Sequence, residues 1–168
     1  MPENLEYKAR INRPEELEQL FLERGAKFSG VLNQTDTYFD VARGRLKLRE
    51  TDGKSLELIY YNRDESSSGG MKSKYTIVHF ATPRVKGLIS RTYGVRAVVE
   101  KTRRLLMYRN ARIHLDTVRR LGSFLEFEIV SEGNEMNDRD LLNSLKNVTR
   151  PFVVEELSVS YSDLVSAI

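Results

Sequence analysis

The chain has 168 residues, 40% of them hydrophobic, and no cysteine; that size suits one domain with its own core, and that composition rules out a disulfide framework or thiolate metal sites. Its 27 basic and 24 acidic residues nearly cancel to +3, so total charge alone selects neither a nucleic acid nor a membrane surface as partner. No stretch approaches the roughly 20 apolar residues of a membrane span, no solenoid-period repeat occurs, and the opening MPENLEYKARI has no signal-peptide-like apolar run, so a single cytoplasmic domain over 1–168 is expected.

Residues 4–10 alternate with period two and predict the first strand. Asn12-Arg13-Pro14-Glu15, followed by Leu17, Leu20, Phe21 and Gly25, predicts a helix with proline in its first turn and glycine past its end. Further period-two segments fall at 35–40, 45–50 and 55–63, with Thr51-Asp52-Gly53-Lys54 as a turn. Ser66-Ser67-Ser68-Gly69-Gly70 reads as a mobile surface loop, and a strand follows at 74–80. Thr82-Pro83 to Tyr93-Gly94 repeats the proline and glycine punctuation and predicts a second helix with a weak apolar face. Strands at 96–108, 111–117 and 123–130 follow, with a turn at Arg109-Asn110. A third helix beginning at Asn137 or Asp138 carries Leu141, Leu142 and Leu145, and Ser160 to Ile168 forms a short fourth. The fold class is α+β, mainly β, antiparallel, with peripheral helices.

Residues two apart on a strand share a face, so each segment separates into two rows. One row carries Glu6, Lys8, Arg10, Lys47, Arg49, Tyr61, Arg63, Lys101, Arg103, Arg112, His114, Asp116, Glu126 and Glu128. The other carries Leu46, Leu48, Leu58, Tyr60, Ile113, Leu115, Leu125, Phe127 and Ile129. A single wet face explains any one strand. Repeated across strands, the pattern instead suggests a closed sheet, charged inside, with helices covering the leucine rows outside.

The charged row holds eight cations against four carboxylates, which sit towards the two ends of the sequence. Enclosed charges interact by roughly 4 kcal/mol per pair at about 4 Å and an effective dielectric of about 20, so an excess of four cations calls for a resident anion. A triphosphate meets that need, because its oxygens suit arginine forks and lysine point charges. Glu126 and Glu128, with Glu6 if its strand lies alongside, offer hard oxygen ligands for Mg²⁺ or Mn²⁺. The residues alone leave that reading open beside a barrel-wide salt-bridge network.

In order, Glu6-Tyr7-Lys8-Ala9-Arg10, Gln34-Thr35-Asp36-Thr37-Tyr38-Phe39, Gly44-Arg45-Leu46-Lys47-Leu48-Arg49, Leu58-Ile59-Tyr60-Tyr61-Asn62-Arg63 and Val99-Glu100-Lys101-Thr102-Arg103 precede three further segments. These are Arg112-Ile113-His114-Leu115-Asp116, Leu121-Gly122-Ser123-Phe124-Leu125-Glu126-Phe127-Glu128 and Ser160-Tyr161-Ser162-Asp163-Leu164. Together, from Glu6 to about Leu164, they resemble the motifs of the CYTH family, which includes class IV adenylate cyclases, thiamine triphosphatases and inorganic triphosphatases. The resemblance implies a closed eight-stranded antiparallel β-barrel, a triphosphate tunnel. It implies that Lys8, Lys47, Arg49, Arg63, Lys101 and Arg103 bind phosphate, with Arg112 a further candidate. Glu6, Glu126 and Glu128 would hold the metal, Asp116 would support it or a second ion, and Glu6, Lys8, Lys47, Arg49 and Lys101 form the expected catalytic set. The family signature Glu-x-Glu-x-Lys is here Asn4-Leu5-Glu6-Tyr7-Lys8, so one carboxylate is replaced by an amide whose carbonyl oxygen can still ligate. A homodimer is an expectation from the resemblance alone.

The expected activity is metal-dependent hydrolysis of a small-molecule triphosphate such as tripolyphosphate, thiamine triphosphate or ATP. Attack by the ribose hydroxyl of ATP on its α-phosphorus would instead make a class IV adenylate cyclase, but no adenine pocket is evident, since Tyr38, Phe39, Tyr60, Tyr61 and Tyr108 read as barrel or core aromatics. A non-catalytic polyphosphate- or nucleotide-binding module is a further alternative. An RNA face built from Arg84, Lys86, Arg91, Arg96, Arg103, Arg104, Arg109, Arg112, Arg119 and Arg120 ranks low, because half of that set lies in turns or on the interior row and no RNA-binding motif accompanies it. His114 is left out of the catalytic set, because a lone strand histidine is more often a structural hydrogen-bonding residue, and His79 has still less context. Lys72 and Lys74 read as solvated lysines.

Overall fold

The computed structural model describes residues 3–64 and 71–168, so the serine loop at 66–70 lies outside the described residues, as does the side chain of Arg63. Its strands are β1 (Glu3–Ile11), β2 (Lys27–Phe39), β3 (Arg45–Thr51), β4 (Ser55–Asp64), β5 (Met71–Phe80), β6 (Val95–Tyr108), β7 (Ala111–Val118), β8 (Gly122–Val130) and β9 (Val153–Leu157). The helices are α1 (Pro14–Glu23), α2 (Arg84–Tyr93), α3 (Glu135–Thr149) and α4 (Tyr161–Ser166).

The strands run in the order β5-β4-β3-β2-β6-β7-β8-β1-β9, and β1 also pairs with β5, so eight strands close into an antiparallel barrel with one strand added. Strand β1 makes the closure by dividing one of its edges. Its first half, Glu3 to Glu6, pairs with β5, whereas Lys8 to Ile11 pairs with β9, and its other edge is taken by β8 throughout. All eight expected strands are present. Two pieces were not expected: β9, and the first half of β2, whose Lys27-Phe28-Ser29-Gly30 start contains a register shift against β6.

The apolar row faces outwards, and that is where the main core lies. Leu17 and Phe21 of α1, with Leu141, Leu142 and Leu145 of α3, bury themselves against Leu5, Tyr7, Leu106, Ile113, Leu115, Leu125, Phe127 and Ile129 of β1, β6, β7 and β8. Each such side chain contributes about 1.5–3 kcal/mol when fully buried. Helix α3 starts before the expected position, because the Asn134 side chain accepts from the Asn137 N–H and caps the helix there. Helix α2 buries no residue completely, in keeping with its weak apolar face. Gly44, in the β2–β3 turn, has φ 67°, and a Cβ there would sit 2.5 Å from Asn62 Oδ1 and 2.8 Å from the Tyr60 hydroxyl, so the turn needs glycine. No helix of the described residues is long and apolar enough to cross a membrane.

Candidate active site

Closure turns the charged row inwards. Asn4, Glu6 and Lys8 of β1, Lys47 and Arg49 of β3, Lys101 and Arg103 of β6, Arg112 and His114 of β7, and Glu126 and Glu128 of β8 line one cavity of about 290 Å³. Every sequence-predicted site residue with a described side chain is therefore at this cavity, except Asp116, which is buried in the wall beneath it. Arg10 has the same parity but lies beyond it, donating to the Leu121 carbonyl at 2.7 Å with its guanidinium 4.9 Å from the centre of the Phe124 ring.

One end of the barrel is filled. The inward-pointing Tyr38, Val99, Val118 and Phe124 cluster there with Tyr161 of α4, whose hydroxyl donates to Asp116 Oδ2 at 2.8 Å. The ammonium groups of Lys8 and Lys101 stand 4.1 and 5.7 Å from the centre of the same tyrosine ring. Exposure rises away from this plug, from 2% for the Lys101 side chain through 14% for Arg49 to 36% for Arg112, so the cavity opens at the opposite end, beside Leu32, Ile77 and Leu105.

The floor is organised by Asp36, which the sequence reading placed in a motif but gave no role. Its parity on β2, shared with Gln34 and Tyr38, was the available signal. Fully buried, it accepts both branches of the Arg49 guanidinium at 2.8 Å and the Lys101 ammonium at 2.9 Å, and pairs with Lys47 at 3.3 Å. Burial alone would raise its pKa, but Arg49, Lys101 and Lys47 together hold it well below the ordinary carboxylate range. Burial, reinforced by Arg49, lowers Lys47 to about 8, and burial with the neighbouring cations also lowers Lys101 against the pull of Asp36.

The other carboxylates differ in how completely they are partnered. Asp116 takes both branches of Arg103 at 2.7 Å as well as the Tyr161 hydroxyl, so its oxygens are committed to holding the wall and it stands apart from the other acids. Glu126 has Lys8 and Arg103 each at 3.6 Å, ion-pair separations too long for hydrogen bonds. Burial would raise its carboxyl, yet Lys8, His114 and Arg103 together hold it well below the usual range. Glu128 pairs with Arg112 and accepts from the Asn4 side-chain amide at 3.0 Å.

The expected excess of four cations is absent among the described side chains: Lys8, Lys47, Arg49, Lys101, Arg103 and Arg112 face Glu6, Asp36, Glu57, Asp116, Glu126 and Glu128. Asp36 and Glu57 had not been counted, Arg10 lies outside, and Arg63 is not described. The interior is thus the salt-bridge network that the residues alone had left open, and an anion must compete for its cations.

His114, Glu126 and Glu128 each offer a ligand atom, all within 4.8 Å of one another, a group suited to a divalent cation. Across the β1–β8 register Glu6 lies opposite Glu128 and Lys8 opposite Glu126. The member not expected is His114, only 4% exposed, whose Nδ1 has no hydrogen-bond partner. Burial, then the nearby Arg103, lowers its pKa and favours the neutral imidazole.

The fold is shared with proteins of diverse origin. The Pyrococcus horikoshii OT3 protein PH1012 superposes with a TM-score of 0.83 at 20% identity, over 96% of this chain and 99% of its own. A candidate adenylate cyclase from Vibrio parahaemolyticus gives 0.78 at 17% identity, over 97% of both chains. The Hippeastrum protein HpAC1, a candidate adenylyl cyclase with a dominant triphosphatase activity, gives 0.69 at 14%, over 99% of this chain and 96% of its own. No protein of curated function matches the chain. The CYTH domain family model matches residues 3–158, all nine strands with α1 to α3, and the chain belongs to that family.

Proposed function

We propose that the protein is a divalent-cation-dependent triphosphatase acting on a small-molecule triphosphate. The observation that carries this reading is the convergence of Lys8, Lys47, Arg49, Lys101, Arg103 and Arg112 on one cavity that also holds Glu6, Glu126 and Glu128. Lys47, Arg49 and Lys101 form a rigid cationic floor because Asp36 fixes all three, and preorganised cations stabilise charge on a transferring phosphoryl group without rearrangement. Glu126 and Glu128, with Glu6 alongside, would hold the cation, and they fit it because their wall is incompletely hydrogen-bonded. The chemistry these carboxylates would gain from a divalent ion is positive charge to offset what develops on the phosphate chain. Glu126 and Glu128 would turn towards such an ion, and Lys8 and Arg112, which pair with them, would then be available to the phosphate chain, with Arg103 held in place by Asp116. Attack of water on the terminal phosphorus would break its bond to the bridging oxygen, giving phosphate and the diphosphate compound as leaving group.

At about 290 Å³ the cavity is just below the range of about 300–1,000 Å³ typical of drug-sized ligands, so it suits a triphosphate chain with any organic group left at the mouth. One observation favours a second reading. The apolar mouth of Leu32, Ile77 and Leu105 offers a surface for a base, as a class IV adenylate cyclase would need. Incubation with tripolyphosphate, thiamine triphosphate and ATP, with Mg²⁺, Mn²⁺ or EDTA, separates the two by product. Cation-dependent phosphate release that falls 100-fold or more in Glu126→Gln is expected; cyclic AMP with pyrophosphate would establish the cyclase, and binding without turnover would leave a binding module.

A further inference from the structure

The cation site proposed above rests on carboxylates, yet the residue whose position most needs a ligand is a histidine. His114 is 4% exposed, faces the cavity, and is cross-strand neighbour to Glu126 in the β7–β8 register. Its Nδ1 stands 3.8 Å from Glu126 Oε1, beyond hydrogen-bonding distance, and has no hydrogen-bond partner. Asn4 Oδ1, at 3% exposure, is likewise buried and unpartnered on the adjoining strand, while its amide nitrogen orients Glu128. Two buried polar groups on one wall are thus left without a hydrogen-bond partner, and an ion bound at His114 would relieve the desolvation cost of its ring nitrogen.

The spacing suits one ion. With metal–ligand bonds of about 2.1 Å, two ligand atoms of a six-coordinate ion stand about 3–4.2 Å apart. The 3.8 Å between His114 Nδ1 and Glu126 Oε1 falls inside that range, and one ligand atom of each of the three residues lies within 4.8 Å of the others. We infer that His114 is a nitrogen ligand of the cation, beside Glu126 and Glu128, and that this mixed set prefers Mn²⁺ to Mg²⁺. The chemical ground is ligand type: imidazole suits borderline transition metals, whereas Mg²⁺ takes oxygen and keeps its waters. The inference deepens the proposed function and depends on its cation site.

The test uses the intact chain and Mn²⁺ as probe. Electron paramagnetic resonance titration should show Mn²⁺ binding about tenfold or more tighter than Mg²⁺ measured by competition, and Glu126→Gln should abolish it. Pulsed spectra of bound Mn²⁺ should carry a nitrogen coupling that changes in protein labelled with ¹⁵N-histidine and disappears in His114→Asn. That variant should also lose most of the preference for Mn²⁺. Bound Mn²⁺ without imidazole coupling, with Glu126→Gln still abolishing binding, would overturn the role of His114 and leave the carboxylate site standing. Absence of Mn²⁺ binding to the wild-type protein would overturn both. The wild-type spectrum decides the matter even if His114→Asn does not fold, and unfolding midpoints of each variant identify that case.

Discussion

Asp36 and Glu126 are both buried acids on the inner wall of one barrel, and they are partnered in opposite ways. Around Asp36 three cations close at 2.8–3.3 Å, two of them by hydrogen bonds. Around Glu126 the cations stand back at 3.6 Å, beside an imidazole with a buried unpartnered nitrogen. A saturated centre fixes geometry, whereas an unsaturated one retains capacity for a ligand. On the proposed function, a triphosphate would meet cations already in place on one side and exchangeable cations on the other.

The comparison breaks first at Asp36. Asp36→Asn leaves Arg49, Lys101 and Lys47 without their shared counter-charge in a buried wall, and should cost about 3–5 kcal/mol in urea unfolding. Glu126→Gln should cost less, about 1–3 kcal/mol, since it removes a counter-charge that stands 3.6 Å from Lys8 while Arg103 keeps Asp116. Equal losses would erase the distinction between the two centres.

A smaller effect comes from Lys47. Its pKa, lowered by burial and then Arg49 to about 8, leaves it charged below that pH in the folded protein and neutral above, while an unfolded lysine stays charged to a higher pH. A triphosphate favours the charged form, so its binding takes up a proton above pH 8, and affinity should fall by up to about tenfold per pH unit there. Lys47→Arg should flatten that slope; an unchanged slope would place the anion away from the floor. Smallest is Tyr161→Phe, which removes a hydrogen bond from an Asp116 still held by Arg103 and should cost about 1 kcal/mol.

Period-two alternation made the strands and the inner and outer rows legible, because burial on a pleated sheet depends on parity. Parity does not report depth, which is why Arg10 shares the inward face yet lies past the plug. Nor does it report partners: Asp36 stood in a recognised motif, but its hold on Lys47, Arg49 and Lys101 depends on how β2, β3 and β6 align, and that register is set by the closed barrel. Among the described side chains the cation excess vanished because Asp36 and Glu57, which share the inward parity, had gone uncounted and Arg10 lies past the plug. Parity alone also does not show that His114 stands opposite Glu126, which the β7–β8 register sets. Strand β9 is five residues long, too short for its alternation to stand out.

The central claim is that the carboxylates on the β8 side restrain cations that a triphosphate needs. Calorimetric titration of tripolyphosphate in EDTA tests it most directly, comparing wild type with Glu126→Gln. Neutralising Glu126 imitates the arrival of a cation, frees Lys8 and removes a competing charge beside Arg103, so the variant that has lost turnover should bind tripolyphosphate about tenfold tighter, about 1.4 kcal/mol. Equal or weaker binding by Glu126→Gln would mean that the acid and the anion do not share those cations, and would contradict the account.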